Sequence, residues 1–203
     1  METPIGVANG NVIAIVLAAG RSQRFGSDKR LTPFADGETL LSQTLSVVLP
    51  NFLHTYVVLK AEDDPRALLS PTHLQQVQVL RAPHANCGLG SSLADAFQGL
   101  QNADGLAAAV FLGDMPWLLT ATCQKLIVFA TSENIVRPRY KGRAGHPVVF
   151  GRNFWSELQQ VRGEEGARAL FKRLIQHCTW VDVDDPGVTQ DIDYPADLQP
   201  MRF

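Results

Sequence analysis

The stretch from Val12 to Lys29, VIAIVLAAGRSQRFGSDK, constrains the chain more than any other. Its first six residues are apolar, four of them are β-branched, and the run stops at Ala18, Ala19 and Gly20. An unbroken apolar run of this length predicts a strand buried on both faces, as in a parallel sheet, which delivers bare backbone at its carboxyl end. Arg21, Arg24, Lys29 and Arg30 follow, with Gly26 placed to turn the chain. Backbone amides and cations gathered at the end of a central strand are the ingredients of a phosphate site.

Two commoner phosphate loops do not account for this one. A P-loop needs Gly, four residues and then Gly-Lys-Ser/Thr, whereas Gly26 is followed here by Ser27, Asp28 and Lys29. The dinucleotide fingerprint GxGxxG needs three glycines that the loop lacks. Charge narrows the partners: 18 Lys and Arg are set against 20 Asp and Glu, a net charge of -2, with no excess of positive charge for nucleic acid. The 203 residues, 45% of them hydrophobic, predict a single domain over 1–203 with its core at about 11–198. Cys87, Cys123 and Cys178 form no CxxC, which argues against a zinc site or a disulfide framework. No basic leader and no bilayer-length apolar run is seen, so a cytoplasmic protein without membrane contact is expected.

Strand and helix patterns alternate downstream, as in a mostly parallel α/β sheet. Thr39 to Leu49 has helical spacing, Thr55 to Leu59 and Val77 to Leu80 read as strands, and Pro65 to Leu69 as a short helix. The loop Arg81 to Gly90, RAPHANCGLG, precedes a helix over Ser91 to Leu100. Ser91 or Ser92 can cap that helix, or meet the polar edge of a base together with the first-turn amides. Leu106 to Leu112 is the second strongly buried strand, and it ends in Gly113-Asp114-Met115-Pro116. A carboxylate at such a strand end suits a hard cation such as magnesium. Capping of the next helix is the structural alternative, although Thr120 and Thr122 lie closer to it.

Arg137, Arg139, Lys141 and Arg143 recur at every second residue. In an extended segment they share one side, either protecting a sheet edge or meeting a second anionic substrate. Gly145-His146-Pro147 then leads into the apolar Val148 to Phe150, and Gly163-Glu164-Glu165-Gly166-Ala167-Arg168 opens a helix whose early glutamates suit its dipole. Near the end, Asp191 and Asp193 flank Ile192 and share a face when extended, and Pro195 can start a helix that includes Asp197.

Taken in order, these motifs resemble the molybdenum cofactor cytidylyltransferase family, MobA-like nucleotidyltransferases of the GT-A-like fold. Leu17 to Lys29 matches LAAGxSxRFGxDK at every specified position; the GLxxSL, GDMP, GHP, GDxGAR and DxDTPxD segments follow, with Glu164 in place of aspartate and Tyr194 in place of threonine. The resemblance implies a three-layer Rossmann-like domain that transfers CMP from CTP to the terminal phosphate of molybdenum-molybdopterin. It implies magnesium, with manganese as the alternative, and a molybdenum hydroxylase as recipient of the product. Carried over residue by residue, Lys29, Arg24 and Asp114 become catalytic. Leu17, Ala18, Ala19, Gly20, Gly88 and either Ser91 or Ser92 join Arg24, Lys29 and Asp114 around the nucleotide. Asp114 and Asp193 hold the metal, with Asp191 competing for the second place, and Arg143, His146 and Arg168 face the acceptor. Related guanylyltransferases show LAGG and CDxP where this chain has LAAG and GDMP, which favours cytosine. A guanylyltransferase, transfer to another acceptor, or a non-catalytic pterin-binding chaperone are the competing readings.

Overall fold

The structure, a computed structural model, describes residues 12–22, 25–34 and 37–198, without the side chains of 164–167. Arg24 lies outside the described residues. The apolar run forms β1 (Val12–Leu17), buried along its whole length. The Thr39 hydroxyl accepts the Ser42 amide to start α1 (Leu40–Val48), and the chain then enters β2 (Thr55–Lys60). Two short helices, α2 (Pro65–Leu68) and α3 (Pro71–Gln76), lead to β3 (Val77–Ala82). Helix α4 (Leu89–Gly99), β4 (Ala107–Leu112) and α5 (Thr120–Phe129) follow. The second half comprises β5 (Ile135–Tyr140), β6 (Arg143–Ala144), β7 (Val148–Gly151), α6 (Trp155–Leu158), α7 (Gly163–Leu174) and β8 (Cys178–Asp182).

The strands form one eight-stranded sheet in the order β3-β2-β1-β4-β7-β5-β6, with β8 pairing β5. Strands β3, β2, β1 and β4 are parallel, β8 runs parallel to β5, and β7 is antiparallel to both β4 and β5. Period-two alternation divides β1 between two cores. Val12, Ala14 and Val16 pack with Leu41 and Leu45 of α1 and Leu126 of α5, whereas Ile13, Ile15 and Leu17 pack with Phe97 of α4, Trp155 of α6 and Leu170 of α7. The result is the expected three-layer α/β arrangement. Because the chain leaves β1 for β2 on one side and returns to β4 on the other, the carboxyl ends of β1 and β4 bound a crevice at the reversal of strand order.

Two local expectations change. Helix α4 starts at Leu89, with Gly88 as N-cap at φ 105, so Ser91 and Ser92 lie within its first turn. The cations from Arg137 to Arg143 do not form one extended face. Lys141 and Gly142 turn the chain at φ 46 and 80, and β8 covers β5, which is therefore not an edge. Arg139 instead makes a two-pronged pair with Asp182, its registered neighbour on β8, and Arg137 stacks 4.7 Å over the Phe171 ring while donating to Gly145 O. Among the described residues, no helix is long and apolar enough to cross a membrane.

Candidate active site

A cleft of about 490 Å³ occupies the crevice at the ends of β1 and β4. Its floor is the loop after β1, and the two strand ends meet there closely: Gly113 donates to Leu17 O at 3.0 Å, and a Cβ on Gly113 would lie 3.1 Å from that oxygen. Leu17, Ala18, Ala19 and Gly20 all line the cleft. Gly88 and Ser92 form a second wall; Ser91 instead accepts the Gly163 amide at 3.0 Å and ties α4 to the start of α7. Of the two serines, Ser92 faces the cleft.

Lys29 reaches across the site. Its Nζ lies 2.5 Å from Asp114 Oδ2, 2.8 Å from Ile192 O and 3.6 Å from Asp193 Oδ1. The segment carrying Asp191 and Asp193 is docked in the same place, since the Ile192 amide donates to Asp114 O at 3.1 Å and Ile192 is fully buried. Asp197 accepts the amides of Asp193 and Tyr194, which makes it a structural residue of that turn. Both Asp191 and Asp193 line the cleft.

Asp114 combines burial with an unfilled valence. Burial raises its carboxyl above the ordinary aspartate value, the Lys29 ammonium opposes that rise, and Asp191 adds to it. Its Oδ1 is buried with no hydrogen-bond partner among the described residues. A desolvated carboxylate oxygen that lacks a donor is costly unless a cation reaches it. This donor set fits a hard divalent ion, which favours carboxylate oxygen.

The three acceptor candidates are not brought together. Arg168 lines the cleft from α7, Arg143 is exposed on β6, and His146 lies outside the lining residues. The His146 amide donates to Val188 O at 2.8 Å, and its Nδ1 is buried without a partner among the described residues. Burial and then the nearby Arg137 charge push its pKa down to about 4, so it is neutral at physiological pH.

Two supports escaped the sequence analysis. Asp185, 1% exposed, accepts the Leu119 amide, the Thr122 hydroxyl and the Gly187 amide, and so holds the tail that carries Asp191 and Asp193 against the loop after β4. Arg30 does not offer itself to phosphate. It is 7% exposed and grips Asp28, Asp63 and Ala18 O. Neither arrangement is legible locally, because the partners that define it, Leu119 and Thr122 for Asp185 and Asp63 for Arg30, are distant in sequence.

A parallel strand end, an amide-lined loop and a lysine set between carboxylates define a nucleotidyltransferase-type α/β domain. Residues 14–178 match the MobA-like NTP transferase domain, and the chain belongs to that family. It is 27% identical over 201 residues to the purine catabolism protein PucB of Bacillus subtilis (strain 168), covering 94% of this chain and 96% of PucB. The fold is similar to the crystal structure of Rv0371c from Mycobacterium tuberculosis H37Rv, with a TM-score of 0.80, 28% identity and coverage of 93% of this chain and 95% of that one. It is also similar to the Rv0371c complex with manganese, with a TM-score of 0.75, 28% identity and coverage of 92% and 95%.

Proposed function

We propose that the protein transfers CMP from CTP to the terminal phosphate of molybdenum-molybdopterin, giving molybdopterin cytosine dinucleotide and pyrophosphate. The observation that carries this reading is the position of Lys29 between Asp114 and Asp193 at the mouth of the amide-lined loop. An oxygen of the acceptor phosphate attacks the α-phosphorus, a new P–O bond forms, and the bond to the bridging oxygen breaks as pyrophosphate departs. A phosphate monoester, with a second pKa of about 6, is already ionised near neutral pH, so no side-chain base is required. Catalysis is then mostly positioning and charge neutralisation.

The loop from Leu17 to Gly20 holds the nucleotide, Ser92 and Gly88 meet the base, and Lys29 with Arg24 stabilises charge on the phosphates. Asp114 and Asp193 hold magnesium, with manganese as the alternative, and the ion supplies Lewis-acid stabilisation of the phosphate oxygens when bound. Among the described residues no group of three or more His, Cys, Asp or Glu is arranged for a metal. This suits an ion that keeps few protein ligands and takes the rest from substrate phosphates and water. Arg168 is the acceptor contact that the cleft supports best. The LAAG and GDMP motifs favour cytosine, and Rv0371c with manganese supports the choice of a divalent ion. Delivery of the product to a molybdenum hydroxylase in the cytoplasm belongs to the same reading.

Pyrophosphate release by the purified protein, with magnesium and molybdenum-loaded molybdopterin, tests the reading. Release with CTP, and not with GTP or ATP, is expected. Preference for GTP would overturn the choice of base, and release with a different phosphorylated acceptor alone would overturn the choice of pterin.

A further inference from the structure

We propose that Arg30, which lines the edge of the same cleft, is a positioning residue for the nucleotide loop, fixing the Ala18–Ala19 peptide through its carbonyl so that the Ala19 amide is presented to a bound nucleotide. This rests on the cleft being a nucleotide site. Ala18 is held on both sides of its Cα: its amide, in the Leu17–Ala18 peptide, donates to Val58 O on β2 at 3.0 Å, and its carbonyl, in the Ala18–Ala19 peptide, accepts from Arg30 Nη1 at 2.8 Å. The Ala18–Ala19 peptide is trans, so its carbonyl and its amide point in opposite directions. With the carbonyl turned to Arg30, the Ala19 N–H is turned away from it. Ala19 is 2% exposed and lines the cleft, and among the described residues its N–H meets no acceptor in the protein. A buried amide without a partner is costly, and a ligand acceptor removes that cost.

Arg30 is itself held rigidly. Asp63 takes both prongs of its guanidinium, at 2.5 and 3.0 Å, and Asp28 accepts from Nε and Nη2. Asp63 is fixed in turn by the Lys60 amide, and Arg81 of β3 donates to the carbonyls of Lys60 and Asp63. A buried ion cluster is a poor source of stability compared with apolar packing, so directional control of Ala18 O is the better account of it. The planar fork of Arg30 makes five directed bonds to two carboxylates and a carbonyl, more than the three donors of an ammonium can supply; lysine keeps the charge and loses the fork.

The test uses Arg30→Lys and Asp63→Asn in the full chain. Nucleotide binding is measured by calorimetry with magnesium, using whichever of CTP, GTP and ATP the wild-type protein binds, and nucleotide protection of the Ala19 amide is followed by hydrogen exchange. Both variants are expected to unfold cooperatively, to bind about tenfold more weakly, the worth of about one hydrogen bond, and to lose protection at Ala19. Should Arg30→Lys fail to fold, Asp63→Asn carries the same two readouts. Wild-type affinity, or weakened binding with full protection at Ala19, would overturn the role of Arg30. A wild-type protein that binds none of the three nucleotides would instead overturn the nucleotide site, and this inference with it.

Discussion

Lys29 and Asp114 stand 85 positions apart in the sequence, yet Lys29 Nζ lies 2.5 Å from Asp114 Oδ2 because parallel pairing of β1 with β4 brings their following loops to one edge. The same ammonium contacts Ile192 O, so a single side chain joins three distant parts of the chain. Charge neutralisation at this point is what nucleotidyl transfer requires. Replacement Asp114→Asn is expected to lower turnover by about 10²-fold or more, the scale of a lost electrostatic contact in a reacting site. The fold should survive, because the change removes a carboxylate whose charge burial disfavours. Parallel measurement of turnover and thermal midpoint checks this.

Gly20 offers a cleaner separation of binding from folding. Among the described residues, a Cβ at this position would meet no atom within 4 Å. The variant Gly20→Ala should therefore melt within a degree or so of wild type, a surface-like effect, while its nucleotide KM rises because the methyl stands where the ligand meets the backbone. An unchanged KM would remove Gly20 from the nucleotide contacts.

Gly187 is the opposite case. A Cβ there would lie 2.3 Å from Trp117 O and 2.9 Å from Asp185 Oδ1, so Gly187→Ala has to push apart the loop after β4 and the tail that carries Asp191 and Asp193. A loss of about 3 kcal/mol is expected from this overpacking, measurable by urea unfolding, and activity should fall with it.

His146 makes a pH prediction. Its folded pKa is depressed to about 4 by burial and the Arg137 charge, against 6.5 for the ordinary group, so the unfolded chain binds the proton more readily. The stability due to neutral His146 is complete above pH 6.5 and is lost as the pH falls toward 4. A thermal-midpoint profile for His146→Gln should be flatter than wild type across that window. Coincident profiles would show that the imidazole is not held neutral by the fold.

The buried strands β1 and β4 are legible in the sequence because an unbroken apolar run ending in small residues has few other uses, and the mostly parallel character of the sheet follows from the alternation of strands and helices. The arrival of Asp114, Asp191 and Asp193 at the cleft is legible for a related reason: each is a carboxylate beside an apolar residue that the fold must bury, whereas the preference for Asp193 over Asp191 comes from the family resemblance alone. The start of α4 is not, since the positive φ of Gly88 is a property of the folded loop, and the preference of serine for caps points three or four residues too late. Arg30 is misread as a phosphate ligand because its partner Asp63 is 33 positions away, and nothing local distinguishes it from Lys29. The run of cations after Arg137 is misread for the same reason, because β8, which supplies Asp182, arrives from the far end of the chain.

The most direct measurement follows the α-phosphorus itself. CTP labelled at the α-position is incubated with the protein, magnesium and molybdenum-loaded molybdopterin, and the products are separated. The account predicts that the label moves into the pterin fraction as a dinucleotide, in step with pyrophosphate release, and that Asp114→Asn slows both by about 10²-fold or more. Label that remains in CTP while the pterin is bound would contradict transfer at this site and favour a protein that only carries the cofactor.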